Sequence, residues 1–224
     1  MRFIDLPDSE DMTLTERVYL ALKSGILSLD IKPREILFIG DIADYYNISR
    51  TPVREALLSL EREGWVKSDG RKRGARVIVP SPKTLMEIVE TQAVLEAHIA
   101  MRAAELLTDA QIDALETLLN KADTAYAAGE EQLCRTLGDE FQERIQIFVG
   151  NHYMYRTIKD LEEKVIRFRL MLWNKGDAPA DESARQHRRI WETIRDRKAR
   201  EAYQAMYDHT LWYEEQLCDV VNNM

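Results

Sequence analysis

Apolar residues recur along this chain at two different spacings, and the change of spacing divides it. In Gly40–Tyr46 the residues Ile42, Ala43 and Tyr46 fall at i, i+1 and i+4, which predicts a short helix with one inward face. Asn47 suits the left-handed conformation that ends such a helix, and Ile48 is expected to be buried in the turn. A second helix follows, with Val53, Ala56, Leu57 and Leu60 as its inward stripe. Trp65-Val66-Lys67-Ser68, a turn at Asp69-Gly70, then Gly74 and Ala75–Val79 read as a hairpin. Pro80-Ser81-Pro82 breaks its last strand. From there the spacing is helical to the end. Helices are predicted near 83–107, 109–128, 130–149, 152–174, 181–197 and 199–222. The breaks fall at Thr108-Asp109, Gly129, Gly150-Asn151 and Gly176-Asp177-Ala178-Pro179, with Thr108 and Asp181 as N-cap neighbours. Helices joined by such short turns predict an antiparallel bundle.

The polar residues beside the second helix add chemistry. Ser49 is placed to cap it, its hydroxyl accepting from free backbone N–H groups. Pro52 falls in the first turn, where a missing N–H costs nothing. Arg50, Thr51 and Arg54 lie off the apolar stripe near the helix start. In a helix-turn-helix that end enters the major groove, where arginine reads guanine or clamps phosphate. Arg71, Lys72 and Arg73 crowd the tip of the hairpin, suited to phosphate or the minor groove. Two arginines on one helix are by themselves only a solvated face. The capped start, the preceding short helix and the basic hairpin together read as a winged helix-turn-helix over residues 1–80. The expected class is mainly α, this unit being followed by an antiparallel all-α bundle over 83–224.

Composition fits two modest domains in 224 residues. No apolar run is long enough for a transmembrane helix, and Met1–Asp8 lacks the pattern of a signal peptide. Cys134 and Cys218 are the two cysteines, without a CxxC, so a reduced cytoplasm is expected. The net charge of −8 looks wrong for a partner of nucleic acid, but its distribution is not. Residues 47–80 carry 8 Lys+Arg against 4 Asp+Glu, whereas residues 81–224 carry 18 against 26. Basic charge sits at the helix and hairpin, and the acidic remainder would repel DNA and help orient the protein on it.

Ser49-Arg50-Thr51-Pro52-Val53-Arg54-Glu55-Ala56-Leu57, then Leu60, Glu63-Gly64 and Arg73-Gly74-Ala75 resemble the N-terminal domain of the GntR family over residues 13–79. One departure is Ile39-Gly40, where the family often opens the first helix of the motif with a charged residue. The second part resembles the FCD ligand-sensing domain of the FadR-type branch. Its marks are Leu95-Glu96, Phe141 with Gly150-Asn151, Gln186-His187-Arg188-Arg189-Ile190, and Met206 with His209. Six helices suggest the shorter, VanR-like version. The resemblance implies a DNA-binding transcriptional repressor, a homodimer on an imperfectly palindromic double-stranded operator. Its affinity would be set by a small effector, an organic acid in many relatives.

His187 and His209 lie on inward stripes, and the resemblance makes them candidate ligands of a divalent metal, zinc or nickel. The family's Asp-x-x-x-His pair falls on Gly138 and Gln142, so both expected ligands are gone. Asp139 is about 100° around the helix. The expectation is an absent or substoichiometric metal, with the histidines bonded to polar neighbours that include Gln142. The candidate effector set is Gln92, Gln142, Arg169, His187 and His209, polar residues on apolar stripes. Arg169 would suit an acid, but the loss of the family's frequent arginine at Gln92, with the losses at Gly138 and Gln142, favours a more neutral ligand, or none. Two alternatives remain at this point. One is a metal-dependent enzyme built on His187, His209, Asp139 and Glu96. The other is a regulator whose bundle only dimerises.

Overall fold

The computed structural model describes residues 4–8, 11–70, 74–79, 81–175 and 180–222, without the side chains of 167–175, 180 and 213–222. Arg71, Lys72, Arg73, Pro80, the 176–179 break and the side chains of Arg169 and Cys218 lie outside the described residues. The chain divides into two compact units, Met1–Pro80 and Ser81–Met224. Among the described residues no helix is long and apolar enough to cross a membrane.

The first unit contains α1 (Leu14–Leu27), β1 (Ile36–Phe38), α2 (Ile39–Tyr46), α3 (Arg50–Arg62), β2 (Val66–Ser68) and β3 (Gly74–Val77). Thr13 and Glu16 cap α1 reciprocally, the Thr13 hydroxyl accepting from the Glu16 N–H while Glu16 accepts from the Thr13 N–H. The sheet is antiparallel in the order β1-β3-β2. The short strand β1 was not legible in the sequence, and β3 ends at Val77, short of the expected Val79. Gly74 is where β1 comes closest, since a Cβ there would lie 2.5 Å from the Leu37 carbonyl oxygen. Val18, Leu22, Leu37, Ile42, Val53, Ala56, Leu60 and Val77 form the core. Ile48 is half-buried against it, less enclosed than its place in the turn suggested.

One polar cluster fastens α1 to the end of α3. Tyr19 donates to Glu63 Oε1 and Oε2 at 2.8 and 2.9 Å, and Trp65 Nε1 donates to Glu63 Oε2 at 3.1 Å. Lys23 Nζ lies 3.4 Å from Glu63 Oε2 and 5.5 Å from the centre of the Trp65 ring. Burial opposes ionisation of Glu63, but the donors Tyr19 and Trp65 and the Lys23 charge outweigh it, so its carboxyl is held below the usual range.

The second unit contains α4 (Pro82–Leu106), α5 (Asp109–Ala127), α6 (Glu131–Val149), α7 (His152–Lys175), α8 (Ala180–Arg195) and α9 (Ala199–Asn222). These bounds lie within three residues of the predicted ones, because the breakers act as read. Thr108 forms a capping box with Gln111 at the start of α5. Gly150 closes α6 at φ 74°, and Asn151 Oδ1 accepts from the Met154 N–H to begin α7. Asp181 proves to be inside the first turn of α8 rather than before it. The core runs through Ile99, Leu115, Phe141, Ile145, Ile158, Ile190 and Ile194. Trp191 is tied across to α5 by a bond from Nε1 to the Ile112 carbonyl, 3.1 Å.

Candidate nucleic-acid interface and buried polar site

In the first unit, α2 ends at Asn47 with φ 53° and ψ 49°, and the Ile48 N–H returns to the Ala43 carbonyl at 2.9 Å. This left-handed corner turns the chain into α3. Val53, Ala56, Leu57 and Leu60 are buried, while Ser49, Arg50, Thr51 and Arg54 are exposed and Pro52 is half-buried. Ser49 occupies the N-cap position with extended backbone, but its side chain makes no capping hydrogen bond. The expected hydroxyl cap is therefore corrected. The first turn of α3 also lacks acidic residues, so its open backbone N–H groups form an anion-accepting end beside Arg50 and Arg54.

The hairpin adds residues that the sequence did not single out. Lys67 and Arg76 pair in register on β2 and β3, and both are exposed. Arg76 Nη1 donates to the Arg34 carbonyl at 2.9 Å. Alternation along the strands already puts them opposite Val66, Ala75 and Val77, which are buried. That was the signal available.

In the second unit, the polar candidates on α4, α6, α8 and α9 are buried and linked. His187 Nε2 lies 3.1 Å from His209 Nε2 and 3.2 Å from the Gln142 amide. Gln186 Nε2 donates to Glu182 at 2.9 Å, which turns Gln186 Oε1 toward His209 Nδ1 at 2.7 Å. That contact puts a proton on His209 Nδ1. In a neutral ring His209 Nε2 is then the acceptor, and His187 Nε2–H donates to it. Gln142 must accordingly present its oxygen to His187, which a half-turn of the amide provides. Gln92, expected at the bundle centre, donates to the neighbouring Glu96 at 3.0 Å. Thr210 donates to the other Glu96 oxygen at 2.7 Å. Glu96, Thr210 and Gln146 are buried as well and were not among the predicted effector residues. Glu96 and Gln146 were findable, since both fall on inward helical stripes.

The residues present do not fit a divalent metal. A Cβ on Gly138 would lie 2.8 Å from His187 Cε1 and 3.0 Å from Nδ1, so the His187 ring fills the space that the family's carboxylate would need. Gln142 supplies a weak amide ligand at most. Asp139 is half-buried and does not join the two histidines, for among the described residues no three His, Cys, Asp or Glu side chains are grouped to hold an ion. Two neutral imidazoles alone bind such an ion weakly.

Comparison with known proteins matches both units. Residues 14–77 match the model of the bacterial regulatory proteins of the gntR family, and residues 87–211 match the FCD domain. The chain is 28% identical over 193 residues to YdhC of Bacillus subtilis, an HTH-type transcriptional regulator, covering 85% of each. It is 26% identical over 196 residues to the HTH-type transcriptional repressor RspR of Escherichia coli, covering 88% of this chain and 85% of that one. The solved structure of E. coli McbR/YncC shares the fold, with a TM-score of 0.70 at 21% identity over 92% of this chain and 97% of that one. These relatives are regulators, so the enzyme alternative built on His187, His209, Asp139 and Glu96 falls away. The chain belongs to the gntR family of bacterial regulatory proteins, as a transcriptional regulator that joins a DNA-binding gntR domain to an FCD domain.

Proposed function

We propose that this protein is a repressor whose affinity for DNA is controlled by a small molecule held in the polar core of its bundle. The observation that carries the effector is the chain Gln142–His187–His209–Gln186, buried except at half-buried Gln186, with Glu96 and Thr210 also buried. A bundle needing only to dimerise gains nothing from burying these groups, since each costs desolvation that a hydrogen bond only offsets. The name of RspR, a repressor, supports the direction of regulation.

On DNA, Arg50, Thr51 and Arg54 face the major groove, and Ser49 with the first N–H groups of α3 takes a phosphate. Pro52 stiffens that turn, and Arg71, Lys72 and Arg73 act from the hairpin. One such unit reads only a few base pairs, so a two-fold dimer on an imperfect palindrome is the working form.

Selection of binding sequences from a random duplex library tests the DNA half. An enriched imperfect palindrome with a dimer in light scattering supports it, and a single half-site bound by a monomer overturns it. Thermal unfolding and operator anisotropy with a metabolite panel test the effector half. A compound that raises the melting temperature and changes operator affinity supports it. Operator affinity unaffected by every compound that stabilises the fold overturns it.

A further inference from the structure

The first unit holds a cavity that neither the DNA contacts nor the bundle explains. It measures about 170 Å³ and lies between α3 and the β2–β3 hairpin. Its floor is apolar and buried, made by Ile39, Leu57, Gly74 and Ala75. Its rim carries exposed Arg54, Leu58 and Ser68 and half-buried Glu61. Leu58 is 45% exposed, so the apolar lining continues from the floor up one wall. An apolar cavity of about 150 Å³ takes benzene, so a volume of this order has room for a single six-membered ring.

The two charged residues of the rim set the polarity of the site. Both lie on α3, Arg54 and Glu61 being about 10 Å apart along the helix axis. Glu61 is occupied, its Oε1 accepting from the Ser68 N–H at 2.8 Å. The Arg54 guanidinium is exposed and has no partner among the described residues. An apolar body seated on the floor therefore finds its charged partner at the Arg54 end, and the complementary charge is negative. A second carboxylate at the opposite end would meet the like charge of Glu61, so a monoacid fits and a diacid does not.

We propose that this cavity binds an apolar monocarboxylate of about the size of benzoate, its ring on Ile39, Leu57 and Ala75 and its carboxylate on Arg54. Bound there, it takes up the charge that Arg54 offers to DNA and fills the space between α3 and the hairpin. It releases the protein from DNA without passing through the bundle. The binding is independent of the effector reading above, and only the release rests on Arg54 as a DNA contact.

Methyl NMR spectra of the full chain, labelled at Ala, Ile and Leu, follow titrations to millimolar concentration with benzoate, benzyl alcohol and acetate. Benzoate is expected to move the Ile39, Leu57, Leu58 and Ala75 methyl signals. Benzyl alcohol, a ring without the charge, should do so only at higher concentration, and acetate, the charge without the ring, should not. Arg54→Gln should raise the benzoate concentration needed by about three- to tenfold and leave benzyl alcohol as it was, because a solvent-exposed ion pair contributes modestly. Leu58→Glu, a change at an exposed helical position, sets a carboxylate in the rim and should abolish the benzoate shifts. Release of the selected duplex, read by anisotropy, should follow the same benzoate titration. No movement of these methyls, or movement confined to bundle residues such as Ile99 and Ile190, would overturn the site. Equal binding of benzoate and benzyl alcohol, in the parent and in Arg54→Gln alike, would overturn the ligand class. Methyl shifts without release of the duplex would overturn the competition with DNA. Should Arg54→Gln hold the duplex as tightly as the parent, the DNA reading of Arg54 fails and the release with it, while the methyl shifts still decide the cavity.

Discussion

The His187 ring stands where a side chain on Gly138 would have to go. A Cβ on Gly138 would come within 2.8 Å of His187 Cε1. The ring has little room to retreat, being held by His209 and Gln142 and resting 5.4 Å from the centre of Phe141. Gly138→Ala gains about 1 kcal/mol of helix propensity. Overpacking a closed core costs about 1–3 kcal/mol and should win. The variant is expected to melt below the parent protein, and a higher melting temperature would show that His187 moves freely.

Because that space is taken, metal removal should leave the protein as it was. Dialysis against a chelator should not change the melting temperature, and elemental analysis should find well under one metal per chain. Stoichiometric zinc or nickel surviving the dialysis would show that His187 and His209 bind an ion with help from other ligands.

Arg54 should matter more for the choice of sequence than for affinity to DNA in general. Arg54→Ala is expected to lose about 1–3 kcal/mol on the preferred operator, with little change on unrelated duplex. Arg50→Ala should weaken both, with a shallower salt dependence. Anisotropy titrations at several salt concentrations separate the two, and an unaffected Arg50→Ala/Arg54→Ala double variant would remove α3 from the interface.

Glu63 makes the first unit sensitive to acid. A carboxyl held low in the folded state contributes stability that is present above its unfolded pKa, about 4.3, and is lost as pH falls through the lower folded value. Glu63→Gln should therefore melt below the parent protein near neutral pH. The difference should shrink as pH falls through the lowered folded value and the parent carboxyl is protonated. A difference that stays constant across this range would show that the Tyr19 and Trp65 bonds do not depend on the charge.

Helix positions in the bundle were legible because their punctuation is local. Thr108 with Gln111, Gly150 and Asn151 each act on their own backbone. The strand Ile36–Phe38 was not legible, because three residues carry no periodicity and its pairing with Gly74–Arg76 spans nearly forty positions. Ser49 shows a related limit. Its place at the N-cap follows from sequence, but the rotamer that withholds its hydroxyl depends on the folded surroundings. Gln92 and Glu96 are one helical turn apart, and their bond was open to inspection once Glu96 was taken as buried. The link from His187 to His209 needed α8 and α9 side by side.

The bare start of α3 has a kinetic consequence. With Ser49 not capping it, the Arg50 and Thr51 N–H groups of the first turn lack a side-chain cap, and Pro52 has no N–H. Such an end frays readily, so these amides should exchange with solvent deuterium quickly in the free protein. A phosphate oxygen seated there would take the place of the missing cap. The first turn of the recognition helix would then become slow to exchange only on DNA, as a local clock that reports operator binding without any change in the fold.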